Sequence, residues 1–265
     1  MTEVWGSSGT GEEEGPRQAP GTPCWTGLLV HDLEATKEFY GALFGWSYYD
    51  PGPRHLGPYV RATLDGRNVA GIGELPPDRQ LTGSWTTYLA SDDADVCAEW
   101  IHCAGGTVGV GPLAAERAGR LVLAADPAGA SFGVWQGQRL LGSRPERTPG
   151  TPVWHELVTH DAAVVLKFYR ALFGYEAKAA GDMDCETVTL HVDGSPVASI
   201  RSAGPALRQP HWMPYFEAAD VDAAARRVAE LGGRVVSAPQ ETPAGRVATV
   251  MDPEGSVFTL LRTAG

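Results

Sequence analysis

The feature that most limits how this chain can fold is that its two halves are versions of one text. PCWTGLLVHDLEATKEFYGALFGW (Pro23–Trp46) lies over PVWHELVTHDAAVVLKFYRALFGY (Pro152–Tyr175) at an offset of 129 residues, and 11 of the 24 aligned positions are identical. A second block sets DDADVCAEWIHCAGGTV (Asp92–Val108) over ADVDAAARRVAELGGRV (Ala219–Val235). A third sets DPAGASFGVW (Asp126–Trp135) over DPEGSVFTLL (Asp252–Leu261). Repetition of this kind means one structural unit built twice, here a unit of about 125 residues. The segment 137–150, GQRLLGSRPERTPG, is polar and rich in Gly and Pro and is expected to be a linker.

Each copy divides again. Trp25–Val30 is a short apolar run, expected as a strand. Asp32 follows at an N-cap position, where its carboxylate can accept from free N–H groups of the first helical turn. Phe39, Tyr40, Leu43 and Phe44 then form a stripe that faces a sheet, and Gly45 ends the helix. Asp65-Gly66, between apolar runs Tyr59–Leu64 and Val69–Ile72, is a hairpin signal. The second quarter repeats the grammar: strand Trp85–Ala90, a helix to Cys103, then strands Leu121–Ala125 and Ser131–Trp135 around the turn Asp126-Pro127-Ala128-Gly129. The expected fold class is α+β: two domains (23–136 and 151–262), each of two βαβββ modules forming a curled sheet around a cavity. Residues 1–22, rich in Gly, Ser, Glu and Pro, are expected to be a disordered arm.

Charge narrows the function classes. The net charge is −11, with no basic stripe, which argues against a nucleic-acid partner. No run of 18 apolar residues suggests a membrane span, and the N-terminus lacks a basic segment followed by an apolar one, so a cytoplasmic location is expected. Cys24, Cys97, Cys103 and Cys185 form no CxxC pair, so they are expected as free thiols. The expected partner is a small molecule, and the expected assembly a monomer or homodimer.

The pattern W-x-x-L-x-x-x-D followed after six residues by F-Y-x-x-L-F-G-W/Y resembles the opening of vicinal oxygen chelate domains, and D-P-x-G before each last strand is similar to theirs. That superfamily includes glyoxalases, extradiol dioxygenases, fosfomycin-resistance enzymes and bleomycin-binding proteins. The resemblance implies the fold. It also implies three metal-ligand positions per copy: one on the first strand, one on the strand opening the second quarter and one on the last strand. By register these fall at Trp25, Thr86 and Gly133 in copy one, and at Trp154, Met213 and Thr259 in copy two. None offers an imidazole or carboxylate, so no cofactor is expected, with a divalent metal as the alternative.

Candidate ligand-binding residues are Trp25, Tyr59, Arg61 and Trp85 in copy one, and Trp154, Trp212, Tyr215 and Arg246 in copy two. The tryptophans can stack on a flat ligand, and the arginines can hold an anion. Glu156 and His191 are the catalytic candidates. Glu156 stands in the cavity register where copy one has Gly27, and an inward carboxylate can move protons. Its competing role is a salt bridge with Arg201 or Arg246. His155 falls on the opposite strand face from Glu156, so the two cannot share one cavity. Three functions stay open. One is a binder of an aromatic or hydrophobic metabolite or antibiotic. Another is a metal-independent isomerase, cyclase or lyase using Glu156. The third is a metal-dependent dioxygenase or glyoxalase.

Overall fold

The computed structural model describes residues 17–49, 57–75, 83–115, 118–138, 147–179, 187–204 and 207–264. Most of the expected arm, much of the linker and Cys185 lie outside the described residues.

Copy one runs β1 (Pro23–Val30), α1 (Leu33–Phe44), β2 (Ser47–Tyr49), β3 (Tyr59–Leu64), β4 (Arg67–Glu74), then β5 (Ser84–Ala90), α2 (Ala94–Cys103), β6 (Thr107–Ala115), β7 (Gly119–Ala125) and β8 (Ser131–Gly137). Copy two repeats this as β9 (Pro152–Thr159), α3 (Ala162–Phe173), β10 (Glu176–Ala179), β11 (Thr187–Val192), β12 (Ser195–Ser202), β13 (His211–Glu217), α4 (Val221–Glu230), β14 (Arg234–Thr242), β15 (Gly245–Met251) and β16 (Val257–Thr263). Each copy forms one eight-stranded sheet, ordered β2-β3-β4-β1-β5-β8-β7-β6 and β10-β11-β12-β9-β13-β16-β15-β14. At each centre the first strand pairs parallel with the fourth and antiparallel with the fifth. These are two curled α+β sheets, neither closed into a barrel.

The local chemistry explains the helix ends. Asp32 caps α1 by accepting from Ala35 N at 2.9 Å, and Gly45 closes it at φ 74°. Asp161 and Gly174 do the same for α3, with Asp161 accepting from Val164 N and Gly174 at φ 70°. Only glycine takes that left-handed position freely. No helix among the described residues is long and apolar enough to cross a membrane.

The cores are shared crosswise between the copies. Phe39, Tyr40 and Trp46 of copy one pack in one cluster with Phe216, Val228 and Phe258 of copy two. Phe132 and Ile101 of copy one pack in the other with Phe168, Tyr169 and Trp212 of copy two. Ring contacts repeat too: Phe44–Phe216 at 5.1 Å in the first cluster, Phe132–Tyr169 at 5.4 Å in the second. Each fully buried aromatic contributes roughly 1.5–3 kcal/mol, so neither copy's cluster is complete without the other.

Polar groups obey the same pseudo-twofold rule. The Tyr40 hydroxyl donates to Asp252 Oδ2 at 2.9 Å, and that of Tyr169 to Asp126 Oδ2 at 3.3 Å. Each aspartate also braces its own D-P-x-G turn, Asp252 from Ser256 N and Asp126 from Ala130 N. The repeated F-Y and D-P motifs are therefore partners across the copies. Trp46 donates to Gly150 O at 2.8 Å, while its counterpart, the Tyr175 hydroxyl, donates to Gly21 O. Gly21 also pairs with Ala90, and Arg17 with Asp92, so residues 17–22 are held against the fold instead of belonging to a free arm.

Candidate functional site

Alternation along the central strands sorts the side chains by face. Leu28, Val30, His155 and Leu157 look toward the shared cores; Trp25, Gly27, Trp154 and Glu156 look into the concave faces. His155 illustrates the rule. It is buried between the sheets with Nδ1 at 2.9 Å from Thr87 Oγ1, and burial there lowers its pKa to about 3. It shares no cavity with Glu156.

Register brings the expected positions of copy two together. Glu156 pairs with Ser199 on β12 and Met213 on β13; Trp154 pairs with Tyr215, and Tyr215 with Thr259 on β16. A polar cluster results. Glu156 Oε2 accepts from Arg201 Nε at 2.8 Å and from the Tyr215 hydroxyl at 3.0 Å. The Ser199 hydroxyl lies 3.5 Å from Oε1 and itself accepts from Trp154 Nε1 at 2.9 Å. Thr259 donates to Met213 Sδ at 3.3 Å. The carboxylate is nearly buried (side chain 8% exposed), while Arg201 reaches solvent at 38%. Burial, and then the charge of Glu156, pushes the Tyr215 hydroxyl well above its ordinary pKa, so it stays a donor.

The superfamily's metal does not fit this donor set. Trp154 has no lone pair to give and spends its N–H on Ser199. The Met213 thioether already accepts the Thr259 hydroxyl, and a thioether with one hydroxyl is a poor site for a hard or borderline dication. Among the described residues no three His, Cys, Asp or Glu converge.

Copy one uses the same positions differently. Glu156, Ser199 and Thr259 correspond to Gly27, Gly71 and Gly133. A Cβ at Gly133 would lie 2.1 Å from the Tyr88 ring, and one at Gly71 would lie 1.8 Å from the Tyr59 hydroxyl. Tyr88 and Tyr59 thus lie down into the floor, Tyr59 also accepts from Trp25 Nε1 at 3.2 Å, and Trp25 is left only 6% exposed. In copy two larger residues at those positions leave the equivalent Tyr215 bonded to Glu156 and Trp154 half-buried.

Several expected site residues stand elsewhere. Trp85 and Trp212 are buried in the shared cores, and Trp212 donates to the Tyr169 hydroxyl at 2.9 Å. Strand parity is the reason: each is one residue out of phase with Thr86 or Met213, which face the cavity. Arg246 lies beside α4, where Asp222 accepts from two of its nitrogens and Glu241 from a third. His191 bonds to Thr189 O on its own strand at 3.3 Å, past a bulge, and is not joined to Glu156. Arg61 is half-buried on β3, near enough to Tyr59 for its charge to act on that hydroxyl. Tyr88 and Ser199 were not singled out from sequence; a period-2 reading of β5 and β12, anchored on Thr86 and Arg201, points to both.

Comparison with known proteins fixes the family. A glyoxalase-like domain family matches residues 154–261. The anthracycline biosynthesis protein DauV of Streptomyces sp. (strain C5) is 36% identical over 263 residues, covering 92% of this chain and 94% of its own. This chain belongs to the vicinal oxygen chelate superfamily. Among these glyoxalase-like proteins, CFP32 of Mycobacterium tuberculosis (strain CDC 1551 / Oshkosh), provisionally named a glyoxylase, is 35% identical, covering 92% of this chain and 95% of its own. The Mn(II)-bound glyoxalase from Novosphingobium aromaticivorans has the same fold, with a TM-score of 0.62, 19% identity, and coverage of 92% of this chain and 83% of that one.

Proposed function

We propose that this glyoxalase-like protein holds a flat, largely apolar aromatic molecule in the concave face of copy two, without the superfamily's metal. The observation that carries the reading is the content of the three ligand positions. Trp154, Met213 and Thr259 replace metal donors with an aromatic wall, a soft apolar contact and a hydroxyl, beside the Glu156–Arg201–Tyr215 cluster. The name of DauV places a relative in anthracycline biosynthesis, which supports a polycyclic aromatic ligand from secondary metabolism. Isothermal titration of the full chain with an anthracycline aglycone, before and after chelator treatment, tests this. Equal binding in both is expected. No binding, or binding only with metal restored, contradicts it.

A second reading makes the site an enzyme in which Glu156 moves a proton, as in a metal-independent isomerase, cyclase or lyase. The contact between Glu156 and Tyr215 favours it, since an acceptor and a donor sit 3.0 Å apart. Glu156→Gln then abolishes turnover while affinity persists. Turnover unchanged in that variant contradicts it.

A further inference from the structure

The first-strand tryptophan of each copy gives its indole N–H to a hydroxyl, and the two hydroxyls come from different strands. Trp25 Nε1 donates to the Tyr59 hydroxyl of β3 at 3.2 Å, and Trp154 Nε1 to the Ser199 hydroxyl of β12 at 2.9 Å. Ser199 stands beside Glu156 as Gly71 stands beside Gly27, and Thr187 stands opposite Arg201 as Tyr59 stands opposite Gly73. A Cβ on Gly71 would lie 1.8 Å from the Tyr59 hydroxyl oxygen, so that oxygen takes nearly the place a serine hydroxyl at residue 71 would take. Both copies therefore set one acceptor at one place beside the indole. Copy one reaches it with a ring laid over glycine, and copy two with a short side chain from the floor.

The choice decides what covers the tryptophan. In copy one the ring that supplies the oxygen also lies in the face, and Trp25 is 6% exposed. In copy two the position of that ring is Thr187, which has none to lay there, and Trp154 is half-buried. An indole N–H drawn out of water without an acceptor is costly. With Cβ set by the strand and Nε1 set by the bond, the plane of the indole is fixed.

Resting on the reading that copy two holds a flat aromatic molecule, we infer that Ser199 is the positioning residue of that site. Its hydroxyl holds Trp154 as the wall against which the ligand lies. By supplying the acceptor from the floor it also frees residue 187 from carrying the ring that would cover that wall. Ser199 has a second contact, Glu156 Oε1 at 3.5 Å, and a double-mutant cycle separates the two.

The probe is 2-naphthol, titrated calorimetrically into the full chain. Ser199→Ala removes the hydroxyl and keeps the Cβ; it is expected to weaken binding about three- to tenfold, the worth of one neutral hydrogen bond. Ser199→Thr, which returns a hydroxyl, should bind as the unaltered chain does. Trp154→Phe keeps a ring without an N–H, and in that background Ser199→Ala should cost nothing. An equal loss in both backgrounds puts the effect on Glu156 and overturns the inference, as does unchanged affinity in Ser199→Ala. Should Ser199→Ala not fold, Thr187→Tyr/Ser199→Gly reproduces the copy-one pairing and is expected to weaken binding by more than about tenfold. Undiminished binding in that variant overturns the inference. Both readings of copy two fall if 2-naphthol does not bind the unaltered chain, whereas binding that ignores Ser199 but is lost in Trp154→Ala removes the positioning role alone.

Discussion

The two concave faces are built on the same strands, in the same register, around equivalent pairs Trp25/Trp154 and Tyr88/Tyr215, and they come to opposite ends. In copy one the floor is glycine at 27, 71 and 133, and the protein's own Tyr59 and Tyr88 lie in it. In copy two the floor is Glu156, Ser199 and Thr259, and the equivalent Tyr215 is held by the carboxylate. Tyr88 and Tyr215 are the same residue type at the same place. What differs is the Cβ beneath them and, on the neighbouring strand, Tyr59 in copy one against Thr187 in copy two. The residues on the floor therefore set where the protein's own tyrosines lie, and on the proposed reading they decide which face takes a ligand.

The comparison breaks most visibly at the two tryptophans. Trp154→Ala should weaken binding of an aromatic ligand by more than about tenfold, because aromatic stacking and its buried area are lost together. Trp25→Ala should leave affinity unchanged and instead destabilise the fold by about 3 kcal/mol, the usual cost of deleting a buried aromatic. Urea unfolding and calorimetric titration of both variants separate the two effects. Equal losses of affinity would mean that both faces are open.

Next in size is Gly133→Thr, which installs the copy-two residue under Tyr88. The new Cβ collides with the ring, so the expected cost is about 1–3 kcal/mol in urea midpoint terms. The reverse change, Thr259→Gly, should cost less and lower ligand affinity. A silent Gly133→Thr would show that Tyr88 does not occupy that floor.

A third difference sits between the sheets, where copy two has His155 and copy one has Thr26, both buried. His155 is neutral in the fold because burial lowers its pKa from 6.5 to about 3. The unfolded chain therefore binds the extra proton between those values. The stability His155 permits is complete above about pH 6.5 and is lost as pH falls toward 3, at up to about 1.4 kcal/mol per pH unit. His155→Thr should flatten the decline between pH 7.5 and pH 5, read by chemical denaturation at each pH. An unchanged slope would place the sensitivity elsewhere. The smallest effect belongs to Arg246→Ala: the side chain is spent on Asp222 and Glu241 at the surface, so ligand affinity should not move.

Much of this was legible in the sequence, because the repeat is local in its signals. Asp32 and Asp161 announce the caps and Gly45 and Gly174 the helix ends, and the resemblance to vicinal oxygen chelate domains implies, by counting back from the capping Asp, that Trp25 and Trp154 are on the inward face. What was not legible is what strand parity and distant partners decide. Trp212 and Tyr215 are three residues apart on one strand, so they cannot face the same side; one lies in the core and the other in the site. Arg246 reads as a free cation until α4 brings Asp222 beside it. The crosswise Tyr40–Asp252 and Tyr169–Asp126 bonds join motifs more than 40 residues apart and give no sign of their pairing in either motif alone.

The most direct test of the central claim, one open face and one closed, is the number of ligands a chain takes up. Chelator-treated protein titrated with an anthracycline aglycone should saturate at one molecule per chain, and Gly133→Thr should not change that affinity. Saturation at two per chain, or at none until a divalent metal is returned, would contradict the account.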